Sequence, residues 1–482
     1  MYITTLALVL ALAVTEPSSA LFSRDDGGPV HLQLTPPPEV PVSVEHAAQQ
    51  IARRREILYG QNRRQSAAPD VPTPPQEFDL VVDTGSAWTW VWDSSSTPTT
   101  CGNHTGGFDA SKSSTYLLND TLNNPPYGPV PVVFVSSYCR GTWGQDTVGL
   151  TNGLGVAAGS MATASNFVFK GNTTSQTWEP PGLLGFAFQT PGLPRPFWYE
   201  LLNTWRDRRF SIFLGNVNQN TTTPIVGRNG GVLTLGGVNT DLFTGNINYV
   251  PLSQRFYRQG QPGFWEVAVT GAEHGGKVFG NNTVAVLDTG SPVSWVPQDL
   301  FTAVYSGLTG VQQIKDQDGQ APHYLFPCSS ASQLTDITFA VGGEKYTIPG
   351  TALSSYDHDD GSTAMCSSLL VPNQQQPSPS GAPPGSTPED WLLGDGFLRS
   401  VYTVYQWSPP AVGFAKLSQK ALTSTPSIVN PSPDGAAATG SATGSATATP
   451  SKAPSGASRT MVNLCVVILS LMVAACILHP VV

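Results

Sequence analysis

The feature that most constrains this chain is a short motif that occurs twice. Val81–Ser86 reads Val-Val-Asp-Thr-Gly-Ser and Val286–Ser291 reads Val-Leu-Asp-Thr-Gly-Ser, each followed closely by Trp. An apolar run that ends at a glycine predicts a buried strand entering a sharp turn. One copy would be typical of an ordinary turn, but two copies with the same apolar approach indicate an internal duplication. Each half then presents one aspartate, Asp83 or Asp288, at the end of a rigid element.

Two aspartates held about 3 Å apart have a specific chemistry, because both carboxylates cannot ionise together. The pair shares one proton, so one member acts as general base on a water while the protonated member donates to a substrate carbonyl. Hydroxyl and backbone N–H groups of the motifs can orient the carboxylate oxygens, and the residues that carry them are Thr84, Gly85, Ser86, Thr289, Gly290 and Ser291. The alternative is two unrelated capped turns, which the duplication argues against.

The composition favours a β-rich, loop-rich protein with two domains and additional tails. Only 12% of the 482 residues are charged, and Gly, Pro, Ser and Thr are abundant. The net charge of −9 argues against a nucleic-acid partner and suits an acid medium. Short apolar runs cut by turn residues predict strands through 73–417, with short helices near Phe197–Trp205 and Pro297–Tyr305. The Pro- and Gln-rich stretch 369–389 predicts a surface loop.

The N-terminal part of the chain is typical of a secreted protein. Residues 1–20 are interpreted as a signal peptide, because the apolar run Leu6–Val14 precedes the small residues Ser18–Ala20. Residues 21–70 are polar and Pro-rich with two arginine runs, and they predict a pro-segment or N-terminal linker. The arginine runs are either processing sites or exposed basic loops. Secretion agrees with predicted N-glycosylation at Asn103, Asn119, Asn172, Asn220 and Asn281.

The C-terminal part of the chain predicts attachment to a membrane. Residues 418–460 form a Ser/Thr/Pro-rich stalk that we expect to be disordered and O-glycosylated. Residues 461–482 contain an apolar tail without a basic flank, which is typical of a GPI-attachment signal when small residues precede it. A transmembrane anchor is the alternative, although the apolar run is short for a full span.

The cysteines favour one disulfide in each half. Two of the six cysteines lie in the apolar tail, which leaves two in each half of the folded body. Four cysteines allow three pairings, and the duplication favours Cys101–Cys139 and Cys328–Cys366.

Several further motifs accompany the two Asp-Thr-Gly-Ser motifs in a defined order. They are Thr73–Phe78, Phe108–Tyr116, Gly182–Ala187, Leu235–Gly237, Tyr249–Leu252, Trp391–Leu398 and Val412–Ala415. With these motifs the chain resembles pepsin-like aspartic proteases over roughly 73–417, and it is most similar to the fungal GPI-anchored, yapsin-type members.

The resemblance implies an all-β, bilobal pepsin-like fold with a cleft between two β-rich lobes. The N-terminal lobe is expected at 71–250 and the C-terminal lobe at 251–417, with Asp83 and Asp288 as the catalytic dyad. The implied reaction is hydrolysis of peptide bonds in peptide or protein substrates that bind in extended form, with an acid pH optimum. Cys328–Cys366 fits the second-lobe disulfide of the family.

Other expectations concern partners and location. The enzyme would be a secreted monomeric zymogen, anchored through lipid at the plasma membrane or cell wall. No cofactor and no metal site are implied, and no histidine of the chain shows ligand spacing.

The flap over the cleft departs from the family pattern. The resemblance makes Ser86 and Ser291 hydrogen-bonding supports of the dyad and Trp90 the aromatic behind the flap. An ungapped match places the flap position at Phe134, whereas a shorter hairpin places it at Tyr138. We prefer Tyr138, because only a phenol can donate into the hydrogen-bond network near the dyad. Phe134 is then an inward strand residue.

A second departure lies upstream of Asp83. Family members reach this aspartate through an N-terminal strand and an Ile-Gly-Thr-Pro-Pro-Gln turn, whereas residues 61–71 are polar here. The N-terminal strand is therefore expected to be missing or shortened. Together with the altered flap, this supports an alternative function, a catalytically weak or silent wall-anchored glycoprotein that keeps the fold as a peptide-binding module. The two intact motifs favour the protease, of which a soluble secreted form is a further variant.

Overall fold

The computed structural model describes a defined set of residues. They are 21–22, 29–34, 57–60, 76–78, 80–95, 107–118, 132–134, 137–150, 155–169, 182–189, 194–215, 230–255, 257, 260–291, 293–315, 322–359, 363–372, 391–423 and 462–465. The predicted signal peptide, the predicted stalk from residue 424 onward, Cys101 and four of the five predicted glycosylation sites lie outside them.

The described chain consists mainly of strands. The first ten are β1 (Leu21–Phe22), β2 (Val30–Leu34), β3 (Ile57–Gly60), β4 (Leu80–Asp83), β5 (Thr89–Trp92), β6 (Leu117–Leu118), β7 (Val132–Phe134), β8 (Ser137–Gly149), β9 (Gly155–Phe169) and β10 (Gly182–Gly185). The next nine are β11 (Arg209–Leu214), β12 (Gly231–Leu235), β13 (Phe243–Pro251), β14 (Glu266–His274), β15 (Lys277–Phe279), β16 (Thr283–Leu287), β17 (Ser294–Val296), β18 (Gln312–Lys315) and β19 (Pro322–Pro327). The last nine are β20 (Ile337–Val341), β21 (Glu344–Ile348), β22 (Ser354–Asp359), β23 (Ala364–Ser368), β24 (Leu370–Pro372), β25 (Trp391–Leu393), β26 (Val401–Gln406), β27 (Ala411–Leu417) and β28 (Val462–Cys465).

The helices are short. They are α1 (Phe197–Leu201), α2 (Gln298–Tyr305), α3 (Asp395–Leu398) and α4 (Gln419–Thr423), together with 3-10 turns at Ala110–Lys112, Cys328–Gln333 and Gly350–Ala352. The two helices predicted from the sequence are confirmed as α1 and α2. No helix within the described segments is long and apolar enough to cross a membrane.

The first lobe is built on an eight-stranded sheet that carries Asp83. Its main path runs β4-β10-β5-β9-β8-β6, with β1 paired to β9 and β7 paired to β8. Val81 and Val82 in β4 are at most 1% exposed, as the apolar approach to the motif predicted. Trp90 and Trp92 in β5 are fully buried, so the sheet packs its aromatic face into the core.

The second lobe repeats this plan around Asp288. An eight-stranded sheet runs β21-β20-β14-β16-β25-β17-β24 with β15 at its side, and a four-stranded sheet runs β18-β19-β23-β22. The disulfide Cys328–Cys366 joins a 3-10 turn to β23, which confirms the predicted pairing in this half. The two lobes confirm the all-β bilobal architecture.

The predicted surface loop at 369–389 is wrong at its beginning. Leu370–Pro372 forms the buried strand β24, which runs parallel to β17. The side chains of the apolar run Leu-Leu-Val at 369–371 are buried, and this run forms a strand before the Pro-rich sequence begins. Residues 373–390 lie outside the described residues.

A third sheet joins the two halves of the chain. Its six strands run β13-β27-β26-β11-β12-β2, so it combines strands from both halves with one from the predicted pro-segment or linker. Its strand β13 crosses the lobe boundary expected at residues 250 and 251. At its edge β2 pairs antiparallel with β12, and Val30 is 6% exposed. A separate two-stranded sheet pairs β3 with β28, which lies within the predicted anchor segment.

Candidate active site

The two aspartates occupy equivalent positions at the carboxyl ends of buried strands. Asp83 ends β4, and Asp288 directly follows β16. In each lobe a later strand runs parallel to the aspartate strand, β10 beside β4 and β25 beside β16. Backbone bonds fix both aspartates to these strands, from Phe186 N to Asp83 O at 2.7 Å and from Asp288 N to Leu393 O at 3.0 Å. The first of these contacts places Gly182–Ala187, one of the motifs that carry the resemblance, directly beside Asp83.

Two threonines fasten the lobes to each other beside the carboxyls. Thr84 Oγ1 donates to Leu287 O at 2.9 Å and accepts from Thr289 N at 3.0 Å. The reverse set also exists, because Thr289 Oγ1 donates to Val82 O at 2.8 Å and accepts from Thr84 N at 3.2 Å. The expectation that both threonine hydroxyls orient carboxylate oxygens is therefore wrong. Each hydroxyl instead satisfies backbone groups of the opposite lobe, which sequence reasoning within one motif could not anticipate.

Asp83 is held by three donors from its own motif. Gly85 N and Ser86 N donate to Oδ1 at 2.7 and 3.1 Å, and the Ser86 hydroxyl donates to Oδ2. Complete burial raises the pKa of Asp83, while hydrogen bonds from Ser86 and Gly85 oppose part of that rise. Donors that point at both oxygens stabilise the ionised carboxylate, so Asp83 is the better base of the pair.

Asp288 receives less support. Gly290 N donates to Oδ1 at 2.7 Å, whereas no described residue donates to the buried Oδ2. Burial and then the nearby charge of Asp83 raise the pKa of Asp288 well above its usual value. Ser291 does not supply the hydroxyl support expected of it, because its Oγ donates to Val293 O at 2.7 Å and stabilises the turn. Asp288 is therefore the member that retains the shared proton.

The two motifs approach each other closely. A Cβ atom added at Gly85 would lie 2.4 Å from Asp288 Oδ1, so only glycine leaves room for the facing carboxyl. This contact places the Asp288 carboxyl directly against the turn that holds Asp83. The arrangement confines one proton between two buried carboxyls, as the Coulomb argument requires.

The flap candidates lie together on one hairpin. β7 pairs with β8 so that Phe134 is opposite Ser137 and Val133 is opposite Tyr138. Both candidate positions therefore lie within two residues of the turn, and their side chains lie outside the described part of the structure. Trp90 is fully buried in β5 with its ring centroid 5.1 Å from that of Trp92.

Sequence reasoning missed a buried ion pair next to the second aspartate. Arg399 donates to Asp395 Oδ2 at 3.1 Å within α3 and the turn that follows it, and both side chains are at most 4% exposed. Asp395 N also donates to Ser291 O at 2.9 Å, and its charge contributes to the raised pKa of Asp288. This ion pair could have been predicted from the sequence, because Asp395 is followed four residues later by Arg399 inside an otherwise apolar run.

Only some of the remaining predicted site residues are among those that the structure describes. Asn281 is exposed in the turn before β16. Cys139 lies on β8, whereas Cys101, its predicted partner, is outside the described residues. Across the described ranges, no three His, Cys, Asp or Glu side chains are grouped as metal ligands would be.

Comparison with known proteins agrees with this geometry. A family model described as eukaryotic aspartyl protease matches residues 68–417. Major aspartyl peptidase 1 of Cryptococcus neoformans var. grubii serotype A is 26% identical over 364 residues, which cover 72% of this chain and 67% of that protein. Gastricsin of Macaca fuscata fuscata is 28% identical over 363 residues, which cover 72% of this chain and 81% of that protein. Pepsin A of Suncus murinus is 26% identical over 360 residues, which cover 72% of this chain and 79% of that protein. The matched region contains both aspartates, and the chain therefore belongs to the eukaryotic aspartyl protease family as an aspartic endopeptidase.

Proposed function

We propose that this endopeptidase hydrolyses peptide bonds with an acid pH optimum and acts at the cell surface as a yapsin-type, lipid-anchored enzyme. The observation that supports the acid optimum is the pair of fully buried carboxyls, Asp83 and Asp288, with unequal hydrogen bonding. The same geometry disfavours a catalytically silent glycoprotein, because the dyad and both crossing threonines are in place.

The unequal support assigns the roles of the two carboxyls. Asp83 carries the negative charge and accepts a proton from a water, whose oxygen attacks the carbonyl carbon of the peptide bond. Asp288 donates its proton to the carbonyl oxygen as the tetrahedral intermediate forms. The intermediate then collapses: the leaving nitrogen takes the proton that Asp83 accepted, Asp288 recovers a proton from a hydroxyl of the intermediate, and the products are an amine and a carboxylic acid. The peptide C–N bond breaks, and one water is consumed.

The pH dependence follows from the shared proton. The raised pKa of Asp288 keeps that proton bound to a higher pH than an ordinary aspartate would. Once the pH rises above this pKa, both carboxyls are ionised and no acid remains to protonate the carbonyl oxygen. Activity is therefore expected to be highest at acid pH and to fall as the pH rises.

The test is a pH profile of peptide cleavage by the secreted protein, measured with Asp83→Asn and Asp288→Asn. Each variant is expected to lose at least about 10²- to 10⁴-fold in kcat, the contribution of a positioned acid or base. Asp241→Asn is the matched control, because Asp241 is exposed and pairs only at the surface with Lys420. A rate that stays flat from acid to alkaline pH would contradict the shared-proton mechanism.

The cell-surface location rests on the sequence of both ends. The signal-like segment 1–20 and the apolar tail within 461–482 support secretion followed by lipid attachment. Treatment of intact cells with a phosphatidylinositol-specific phospholipase C is expected to release the enzyme, and a variant without 461–482 should be found in the medium. Enzyme that stays on phospholipase-treated cells would favour a transmembrane anchor instead.

A further inference from the structure

A fully buried tyrosine lies behind the dyad on the sheet that joins the lobes. Tyr405 is in β26, opposite Phe210 of β11, and its ring stacks on Phe210 with centroids 4.7 Å apart. The Trp265 ring packs against it edge-on at 5.2 Å. The ring is therefore fixed on two sides by aromatic contacts, and a phenylalanine could make the same contacts.

The hydroxyl of Tyr405 is what needs an explanation. It is buried, and none of the described residues meets it with full hydrogen-bond geometry, although the hydroxyls of Thr403 and Thr84 lie close to it. Leaving a buried hydroxyl unpaired destabilises the fold, so a buried phenol is expected to find an acceptor. Burial raises the pKa of Tyr405 to about 12, the hydroxyls of Thr403 and Thr84 oppose that rise, and the charge of Asp288 adds to it. The phenol therefore stays protonated at any working pH and keeps an O–H to donate.

The two neighbouring hydroxyls differ in what they do. Thr403 Oγ1 donates to Ile212 O at 3.2 Å and belongs to the joining sheet alone. Thr84 Oγ1 already donates to Leu287 O and accepts from Thr289 N, and a hydroxyl oxygen has two lone pairs. One lone pair of Thr84 Oγ1 therefore remains available to a third partner, and Tyr405 is a neighbouring hydroxyl that can donate to it.

We propose that Tyr405 is a positioning residue for catalysis, whose hydroxyl donates to Thr84 Oγ1 and thereby holds the backbone that carries Asp288. Its action is indirect, because Tyr405 touches neither substrate nor reacting atoms. A donor on Thr84 Oγ1 polarises that hydroxyl and strengthens its own bond to Leu287 O, since chained hydrogen bonds reinforce one another. Leu287 directly precedes Asp288, so the effect is transmitted through one peptide unit.

Tyr405→Phe tests the proposal, because the ring contacts are kept and only the hydroxyl is removed. With the full secreted chain and a quenched fluorogenic peptide, we expect kcat to fall about tenfold, within what a small misplacement of a reacting group produces. KM should change less than about twofold, because substrate contacts are untouched. The melting temperature should fall less than in a Tyr402→Phe variant, because only the proposed bond to Thr84 is removed, whereas the Tyr402 hydroxyl bonds both Ser211 and Asn239. Wild-type kcat in this variant would overturn the proposal.

Tyr402→Phe is the matched control on the same strand. The Tyr402 hydroxyl is also buried, but it bonds the Ser211 hydroxyl at 2.7 Å and accepts from Asn239 N at 2.8 Å, away from the dyad. Its removal should lower the melting temperature and leave kcat unchanged. If both tyrosine variants lower kcat and melting temperature in parallel, the role of Tyr405 is merely structural and the proposal fails.

A double-mutant cycle identifies the acceptor. In a Thr84→Ala background, Tyr405→Phe should reduce kcat no further, because the acceptor is already gone. In a Thr403→Ala background it should still reduce kcat about tenfold, the factor expected for Tyr405→Phe alone. Additivity with Thr84→Ala, or coupling to Thr403→Ala instead, would contradict the assigned hydrogen bond.

Discussion

At the scale of single residues, Asp288 is a carboxyl whose ionisation at neutral pH is unfavourable in the folded protein. It is fully buried, receives one backbone donor from Gly290, and faces the charge of Asp83. Each unit by which its pKa is raised destabilises the ionised native state by about 1.4 kcal/mol. The same burial that prepares Asp288 to act as an acid therefore makes the fold pH-dependent.

Asp288→Asn should stabilise the protein at neutral pH while it abolishes activity. Because the native pKa of Asp288 is raised, its contribution to stability is fully present below the unfolded-state pKa of about 3.9 and is lost as pH rises through the native value. Asparagine does not titrate, so the melting temperature of the variant should exceed that of the wild type by about 2 °C or more at pH 7. The difference should shrink near pH 4, and calorimetry at both pH values measures it.

Asp241→Asn serves as the control for that comparison, since the Asp241 side chain is 63% exposed. It should show the same small change in melting temperature at both pH values. A gap between Asp288→Asn and wild type that is equal at pH 4 and pH 7 would contradict the argument.

The residue-level chemistry could be predicted where its cause is local. Asp83 and Asp288 were found because the apolar approach, the turn glycine and the carboxyl lie within six consecutive residues. The partners of Thr84 and the burial of the Arg399 ion pair could not be predicted, because they depend on how the two lobes meet and how a helix packs. The difference between Ser86 and Ser291 was also hidden, since the two motifs are identical from Asp to Ser.

At the scale of secondary structure, local patterns were sufficient for most strands. β20 (Ile337–Val341) is one example within the region 73–417 where strands were predicted, and its side chains alternate between buried and half-buried. β2 was missed, because an edge strand is specified by its partner and β12 lies about two hundred residues further along the chain. The N-terminal strand upstream of Asp83 was expected to be missing or shortened. β2 does lie upstream of Asp83, and it forms the edge of the joining sheet.

β2 should contribute to stability although it lies within the predicted pro-segment or linker. Leu32 packs against the main core, and His31 Nδ1 lies 2.9 Å from Thr234 Oγ1. Leu32→Asp would place a charge against that core and should destabilise the protein by about 1–2 kcal/mol, less than the transfer free energy of a fully buried leucine because Leu32 is half-buried. The shift in the urea midpoint at constant m value measures it.

The matched control for β2 is Leu118→Asp, also in a strand but 52% exposed. It should shift the urea midpoint by no more than about 0.5 kcal/mol. A second measurement follows proteolysis between 35 and 75, after which the fragment that contains β2 should remain bound to the folded protein. Equal effects of the two substitutions, together with loss of the fragment without loss of stability, would contradict a structural role for β2.

At the scale of the whole molecule, the two lobes are joined by more than the chain that connects them. They share the six-stranded sheet, and Trp265 Nε1 donates across to Phe186 O at 2.8 Å in the loop after β10. The crossing bonds of Thr84 and Thr289 add a connection at the dyad itself. Catalysis requires one carboxyl from each lobe at a fixed separation, so these contacts between the lobes are also contacts that set the active-site geometry.

Thr84→Ala should therefore weaken both stability and catalysis. It leaves Leu287 O and Thr289 N without their partner at the buried junction, and each unpaired backbone group costs about 1–3 kcal/mol. We expect a loss of about 2–4 kcal/mol in urea unfolding and a lower kcat with little change in KM. Thr84→Ser keeps the hydroxyl and should lose only about 1 kcal/mol for the missing methyl group. Thr338→Ala, which removes an exposed hydroxyl pair with Thr347, should change neither quantity. If Thr84→Ser is as damaging as Thr84→Ala, the methyl group and not the crossing hydrogen bonds holds the lobes in register.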